Sequence, residues 1–115
     1  LASLSILALP WNGINASIND FLPSAVFLMS NLTELNLYDN FLSGTIPKAL
    51  GMMSNLGKLI LDWNSLSSTM PCELGMLTGM TDLWLYQNSL TGSIPSELGL
   101  MTDMALLDLD ANLLT

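Results

Sequence analysis

Positively charged side chains are almost missing from this sequence of 115 residues. Lys48 and Lys58 stand against ten acidic residues, which gives a net charge of -8. A protein that binds nucleic acid or an anionic membrane surface through charge needs clustered cations. The composition therefore argues against both partners.

Histidine is absent and cysteine occurs once, at Cys72. Zinc and copper sites are built mainly from His and Cys side chains, so the sequence has almost nothing with which to ligate these metals. A single cysteine forms no internal disulfide, and we interpret Cys72 as an incidental thiol on the outer side of the protein. We expect no metal and no cofactor.

Long apolar runs are also lacking, although half of the residues are apolar and a tenth are charged. Because no stretch of about 18 apolar residues is free of breakers, no membrane-spanning helix is predicted. The most apolar stretch, residues 1–9, contains Ser3 and Ser5 and lacks a basic flank and an initiating Met. These features argue against a signal peptide and favour a segment of a repeat.

A period of 24 residues is what the sequence does have. Four asparagines recur at this interval, each after an apolar frame of the form LxxLxLxxN: Asn40, Asn64, Asn88 and Asn112. The frame places Leu83 and Leu85 on one face of an extended strand and Trp84 and Tyr86 on the other. Each period therefore predicts one coil of a solenoid, in which an inward ladder of asparagines satisfies backbone groups of neighbouring coils.

The second halves of the repeats indicate the type of repeat more closely. They read LSGTIP at residues 42–47 and LTGSIP at residues 90–95. On these motifs the chain resembles the leucine-rich-repeat family, and in particular its plant-type subclass. The resemblance covers essentially all 115 residues. It implies an α/β solenoid, a right-handed superhelix with a parallel β-sheet on the concave face and short 3₁₀ or irregular segments on the convex side.

We predict a single domain over residues 1–115, with about four and a half repeats and no capping segments, similar to the interior of a longer array. The first repeat is four residues longer than the others, and the surplus at residues 13–20 is expected to bulge as a surface loop. In the third coil Ser68 replaces the glycine found at Gly44 and Gly92. We expect a looser turn there, and the pattern does not firmly predict the second strand of the plant-type repeat in this coil.

Function is expected on the outward side chains of the strands, which are free of packing duty. We predict that ligand- or protein-binding residues lie on this concave face: Tyr38, Asp62, Trp63, Asp82, Trp84, Tyr86, Asp108 and Asp110. Aromatic rings supply contact area at low entropic cost, and carboxylates select cationic or hydroxyl-bearing partners. A basic or Arg-bearing peptide would suit this surface, as would a glycan stacked on Trp84 or Trp63. The alternative is a merely solvated face with scattered aromatic side chains.

Two other chemistries are open to the acidic residues. Asp108 and Asp110 are two apart on one strand face, about 6.6 Å between Cα atoms, which overlaps the carboxylate separation of inverting glycosidases. A catalytic acid needs burial to raise its pKa, and this pair is expected to be open to water, so we predict no enzyme. Calcium would find oxygen ligands in Asp62, Asp82, Asp108 and Asp110, but these are spread over three strands without a ligand loop.

Sequons of the form Nx[ST] begin at Asn15 and Asn31, in segments expected to be exposed and outside strands, and are candidate N-glycosylation sites. The family resemblance implies a non-catalytic recognition module of an extracellular or cell-surface, receptor-like protein. We expect a protein or peptide ligand or a glycan, no nucleic acid, and no membrane insertion by this segment. A secreted structural protein or enzyme inhibitor of the cell-wall type is the other interpretation.

Overall fold

The computed structural model describes residues 3–115, so Leu1 and Ala2 of the predicted domain lie outside the described residues. Within that range the chain forms ten short strands. In chain order they are β1 (Ile6–Ala8), β2 (Asn15–Ser17), β3 (Glu34–Asn36), β4 (Phe41–Gly44), β5 (Lys58–Ile60), β6 (Ser65–Thr69), β7 (Asp82–Trp84), β8 (Ser89–Gly92), β9 (Leu106–Asp108) and β10 (Leu113–Leu114).

The strands fall into two parallel sheets. The first sheet has the order β1-β3-β5-β7-β9, and the second sheet has the order β10-β8-β6-β4-β2. Like positions of the repeat meet in the first sheet, where Leu59 pairs with Leu35 on one side and with Leu83 on the other. The predicted solenoid of stacked parallel strands is therefore confirmed, with a second sheet in addition to the first.

Leucines of the repeat frame form the core between the two sheets. Leu35, Leu59 and Leu83 are fully buried, and so are the leucines two residues further on. Burying one such side chain contributes about 1.5–3 kcal/mol. A leucine pair two residues apart therefore fixes which face of each strand is hidden, and the residues between and after the pair are left outside.

The repeated asparagines connect neighbouring coils. The side-chain amide of Asn88 donates to the carbonyl oxygens of Leu61 at 3.0 Å and Leu85 at 3.2 Å, while its Oδ1 accepts the N–H of Leu66 at 3.0 Å. Asn40, Asn64 and Asn112 make the corresponding bonds in their own coils. An unpaired buried backbone group costs about 1–3 kcal/mol, so the predicted ladder satisfies groups that the turns would otherwise leave bare.

Short 3₁₀ helices close the coils on the other side: Ser24–Leu28, Lys48–Met52, Cys72–Met76 and Ser96–Leu100. Each follows a proline whose φ lies near the value that its ring imposes. In the described part of the chain, no helix is long and apolar enough to cross a membrane.

Glycines inside these 3₁₀ helices let adjacent coils approach closely. A Cβ on Gly51 would overlap the carbonyl oxygen of Glu73, and a Cβ on Gly75 would overlap that of Glu97. At Gly99, the equivalent position of the last 3₁₀ helix, nothing lies within 4 Å of such a Cβ. The structure therefore shows a steric requirement for glycine at Gly51 and Gly75.

The surface loop predicted for residues 13–20 is wrong. These residues include β2, and a short helix, α1 (Ile18–Phe21), begins within them. The side chain of Ile18 is fully buried in the core. Because burying an isoleucine is worth about 1.5–3 kcal/mol, the surplus residues fold back onto the core instead of bulging outward.

The third coil does form a second strand, contrary to the doubt that its sequence raised. This strand, β6, is the longest of the second sheet. Ser68 adopts φ of 65°, in the left-handed region that Gly44 (85°) and Gly92 (75°) occupy. A non-glycine residue enters this region at a cost of roughly 1–2 kcal/mol. Pairing of β6 with both β4 and β8 holds Ser68 in the conformation of the glycines.

Candidate functional site

Outward side chains of the first sheet stand in columns, because like positions pair from coil to coil. Strand pairing aligns Ile6, Glu34, Lys58, Asp82 and Leu106 in one column, and Ala8, Asn36, Ile60, Trp84 and Asp108 in the next. Backbone bonds beyond the strand ends continue the alignment through Pro10, Tyr38, Asp62, Tyr86 and Asp110, and then through Trp11, Asp39, Trp63, Gln87 and Ala111. We call these four columns the outer face.

The outer face is acidic. It carries Lys58 and six carboxyl groups: Glu34, Asp39, Asp62, Asp82, Asp108 and Asp110. Such an excess of one sign attracts cationic groups and raises the rate at which they arrive.

The residue before each repeated asparagine turns the chain away from the first sheet. It has a left-handed φ in every coil, including 54° at Trp11 and 56° at Trp63. Bulky side chains rarely adopt this conformation, and here the surrounding coil imposes it. As a result each tryptophan ring lies edge-on to a tyrosine of the next coil, Trp11 to Tyr38 at 5.4 Å and Trp63 to Tyr86 at 5.8 Å between ring centroids.

A pocket of about 340 Å³ lies on the outer face beside the pair of Trp11 and Tyr38. Its lining comes from four coils: Pro10, Trp11, Asn36, Tyr38, Ile60, Asp62 and Trp84. Three of the lining side chains are aromatic, those of Trp11, Tyr38 and Trp84.

Asp62 lines this pocket and is only 5% exposed. Its Oδ1 accepts the backbone N–H of Tyr86 at 2.8 Å. Burial raises the pKa of Asp62 to about 6, the hydrogen bond from Tyr86 acts in the opposite direction, and the charge of Asp108 raises it further. Asp62 therefore changes its charge as the pH passes through about 6.

The structure brings together three of the eight predicted binding residues, Tyr38, Asp62 and Trp84, in the pocket. Trp63 and Tyr86 form the second ring pair, two coils beyond the pair of Trp11 and Tyr38. The remaining three are carboxylates outside the pocket lining: Asp82, Asp108 and Asp110. Asp82 accepts the hydroxyl of Thr81 at 2.8 Å.

The pair considered for acid catalysis does not have two buried carboxyl groups. Asp110 is exposed, and its backbone N–H donates to the carboxylate of Asp108 at 3.2 Å. The four aspartates considered for calcium do not converge either. Across residues 3–115, no group of three or more His, Cys, Asp or Glu side chains is placed to hold a metal ion.

Four pocket residues are missing from the predicted set: Pro10, Trp11, Asn36 and Ile60. Each stands in a column that the repeat defines, so the sequence contained the signal for their exposure. It did not show that Trp11 and Trp84, which come from the first and fourth coils, border the same cavity.

Cys72 and the two sequons lie away from the strands of the first sheet. Cys72 is exposed, and the charge of Glu73 raises the pKa of its thiol, which is opposite to the shift that activates a cysteine. Asn31 is exposed outside any strand, as predicted. Asn15 is also exposed, but it begins β2, so its placement outside a strand is wrong.

Comparison with known proteins reveals the same repeat. The family model described as Leucine Rich Repeat matches residues 31–53 and 79–101. The chain belongs to the leucine-rich-repeat family. No curated protein sequence matches it.

Solved leucine-rich-repeat structures are similar over nearly the whole chain. The plant peptide hormone receptor RGFR1 in complex with RGF2 has a TM-score of 0.88 and 33% identity, over 96% of this chain and 17% of that one. The ectodomain of the Arabidopsis receptor kinase HAESA, in complex with an IDA peptide hormone, has a TM-score of 0.87 and 28% identity, over 98% of this chain and 18% of that one. The chain thus spans less than a fifth of either receptor chain.

A plant ice-binding protein is similar as well, with a TM-score of 0.80 and 26% identity over 96% of this chain and 35% of that one. The same solenoid therefore occurs in proteins with different tasks. Structural similarity to receptor ectodomains supports a ligand-recognition module, but the ligand has to be inferred from the residues of the outer face.

Proposed function

We propose that this leucine-rich-repeat chain recognises a peptide that lies along its outer face, as the non-catalytic recognition segment of a receptor-like protein outside the cell. The observation that supports this most is the pocket of about 340 Å³ bordered by Trp11, Tyr38 and Trp84 on an acidic surface. A cavity of that size accommodates a single side chain, and the columns on either side offer room for the residues that flank it.

The chemistry of the outer face favours a peptide with basic residues. Six carboxyl groups against Lys58 give it a field that attracts cations and disfavours acidic ligands. Tryptophan and tyrosine rings supply large contact areas with few rotatable bonds, and such residues dominate binding energies in protein interfaces. A glycan would also stack on the rings but would gain less from the charge.

The solved relatives are consistent with this proposal. RGFR1 and HAESA are both described as complexes with peptide hormones. In this chain both candidate glycosylation sites, Asn15 and Asn31, are outside the strands of the first sheet. Glycans at these positions would leave the outer face open, and their presence would fit an extracellular or cell-surface location.

A short-peptide display library selected on the immobilised chain tests the proposal. Selected peptides are expected to lose about 30-fold in affinity, or about 2 kcal/mol, with Trp84→Ala, because truncation of a central aromatic anchor typically costs that much. The melting temperature should change little, since Trp84 is outward and only half-buried.

Phe41→Ala is the matched control, since Phe41 is an exposed aromatic residue of the second sheet. Its truncation should leave the affinity of the selected peptides unchanged. Equal losses in the two variants, or a selection that yields no peptide binder to the folded chain, would contradict the proposal.

A further inference from the structure

The pocket of the outer face holds a buried carboxylate for which residues 3–115 supply no cationic partner. Asp62 is 95% buried, since 5% of its surface is exposed. Neither Lys48 nor Lys58 belongs to the pocket lining. Burying a charge without a partner is costly, so a carboxylate in this position would gain from a cation that a ligand supplies.

One oxygen of this carboxylate remains available. Oδ1 of Asp62 accepts the N–H of Tyr86 at 2.8 Å. Oδ2 makes no hydrogen bond to the described residues, yet within residues 3–115 no buried side-chain oxygen or nitrogen lacks a partner. Oδ2 therefore keeps contact with solvent, and for a residue that lines the pocket this contact is made through the pocket itself.

Aromatic side chains line the same pocket. Trp11, Tyr38 and Trp84 line the pocket, and the first two are held edge-to-face at 5.4 Å between centroids with an interplanar angle of 80°. The negative faces of aromatic rings attract ammonium and guanidinium groups, and such contacts strengthen when water is excluded. Rings together with a carboxylate form a site that suits one organic cation.

We propose that this pocket is a subsite for a single organic cation, the ammonium group of a lysine or the guanidinium group of an arginine, bound to Oδ2 of Asp62 between Trp11, Tyr38 and Trp84. The subsite deepens the proposed function, because it would select the basic side chain of the peptide. The aliphatic stem of this lysine or arginine side chain would pack against Ile60 and Pro10, two apolar residues of the lining.

Protonation of Asp62 should control occupancy of the subsite. Titratable groups on the outer face of the neighbouring coils are Glu34, Tyr38 and Asp39 on one side and Asp82 and Tyr86 on the other. Lys58 is on the same coil as Asp62, and Asp108 is two coils away. The pKa of Asp62 is raised to about 6, so the empty subsite loses its negative charge as the pH falls through this range. A bound cation favours the ionised carboxylate, so binding should weaken as the pH is lowered towards 5, which is roughly where most of the empty subsite is protonated.

Blocked amino acids test the subsite without any assumption about a peptide ligand. The probes are the N-acetyl methylamides of lysine, arginine and norleucine, titrated into the 115-residue chain while the three tryptophan indole N–H signals are followed by NMR. Lysine or arginine should shift the signals of Trp11 and Trp84 but not that of Trp63, which lies outside the lining. Norleucine, which lacks the charge, should bind at least about 10-fold more weakly.

Asp62→Asn should reduce affinity for the cationic probes at least about 10-fold and abolish the pH dependence, while the amide oxygen can still accept the N–H of Tyr86. Asp39→Asn is the matched control, because it removes one charge from an exposed position of the same face that does not line the pocket. If Asp39→Asn weakens binding as much as Asp62→Asn, or if norleucine binds as well as lysine, the subsite is refuted. Peptides that depend on Trp84 but not on Asp62 would refute the subsite alone and leave the proposed function intact.

Discussion

Close packing between the 3₁₀ helices leads to a sharp prediction about three equivalent glycines. Gly51, Gly75 and Gly99 occupy the same position of the repeat, and none has a left-handed φ, so alanine suits the backbone at all three. The three glycines differ in their surroundings. A Cβ on Gly75 would overlap the carbonyl oxygen of Glu97 and lie 2.8 Å from its carbonyl carbon, whereas a Cβ on Gly99 meets nothing within 4 Å.

Two opposing effects set the magnitude. Alanine in place of glycine stabilises a compatible site by about 0.4–1 kcal/mol, because the unfolded chain loses conformational freedom. Overpacking against a backbone atom that cannot rotate away costs about 1–3 kcal/mol. Gly99→Ala should therefore be slightly stabilising, and Gly75→Ala should be about 2 kcal/mol less stable than Gly99→Ala. For a chain of this size that difference corresponds to roughly 8 °C in melting temperature.

Thermal unfolding followed by circular dichroism is the assay, with the three single variants measured under one set of conditions. Gly51→Ala should fall between the other two, since its Cβ would be 3.1 Å from the carbonyl carbon of Glu73, a looser contact than at Gly75. Equal shifts in all three variants would refute the steric explanation, because the change in unfolded-state entropy is common to them. A destabilised Gly99→Ala would show that local conformation, and not the neighbouring coil, requires glycine.

Two further predictions concern buried polar groups. Asn88→Ala should cost about 2 kcal/mol in denaturant unfolding, because it leaves the buried N–H of Leu66 without a partner and removes one of the two amide donors to the carbonyls of Leu61 and Leu85, which keep those of Asn64 and Asn112. Asn55→Ala, which removes an exposed bond to Ser30, should cost less than about 1 kcal/mol, and equal losses would contradict the ladder. For Asp62 the folded-state pKa of about 6 exceeds the reference value of 3.8, so the folded chain binds the proton more tightly and loses stability as the pH rises from 3.8 to about 6. Asp62→Asn should therefore melt higher than the parent at pH of about 7.5 and lose this advantage towards pH of about 4, whereas a constant difference would rule out titration of Asp62.

The fold was accessible from the sequence because packing and hydrogen bonding repeat with the same period. Leu83 and Leu85 had to be buried together, and Asn88 had to reach the backbone of the preceding coil, once one strand was stacked on the next. The repeat pattern gave no guidance at the four-residue insertion, where the 24-residue period is interrupted. Ile18 lies in the insertion, so no other coil indicated that its side chain would enter the core.

The candidate site was only partly accessible from the sequence. Alternation along the strands was sufficient to place Tyr38, Trp84 and Asp62 on one face. It could not show that a pocket would open around Asp62, because a cavity depends on the sizes of side chains from several coils. The predicted importance of Asp82, Asp108 and Asp110 as binding residues stays a prediction.

By itself the sequence determined the winding of this protein, since a 24-residue period sets which side chains face inward and which stand in columns outside. Tertiary structure alone decided that Asp62 is buried in a pocket lined by aromatic rings, and that a Cβ at Gly51 or Gly75 would overlap the neighbouring coil. The physical reason is that inward or outward orientation is a local property of the strand. Burial, charge state and steric room depend on neighbours one or more coils away.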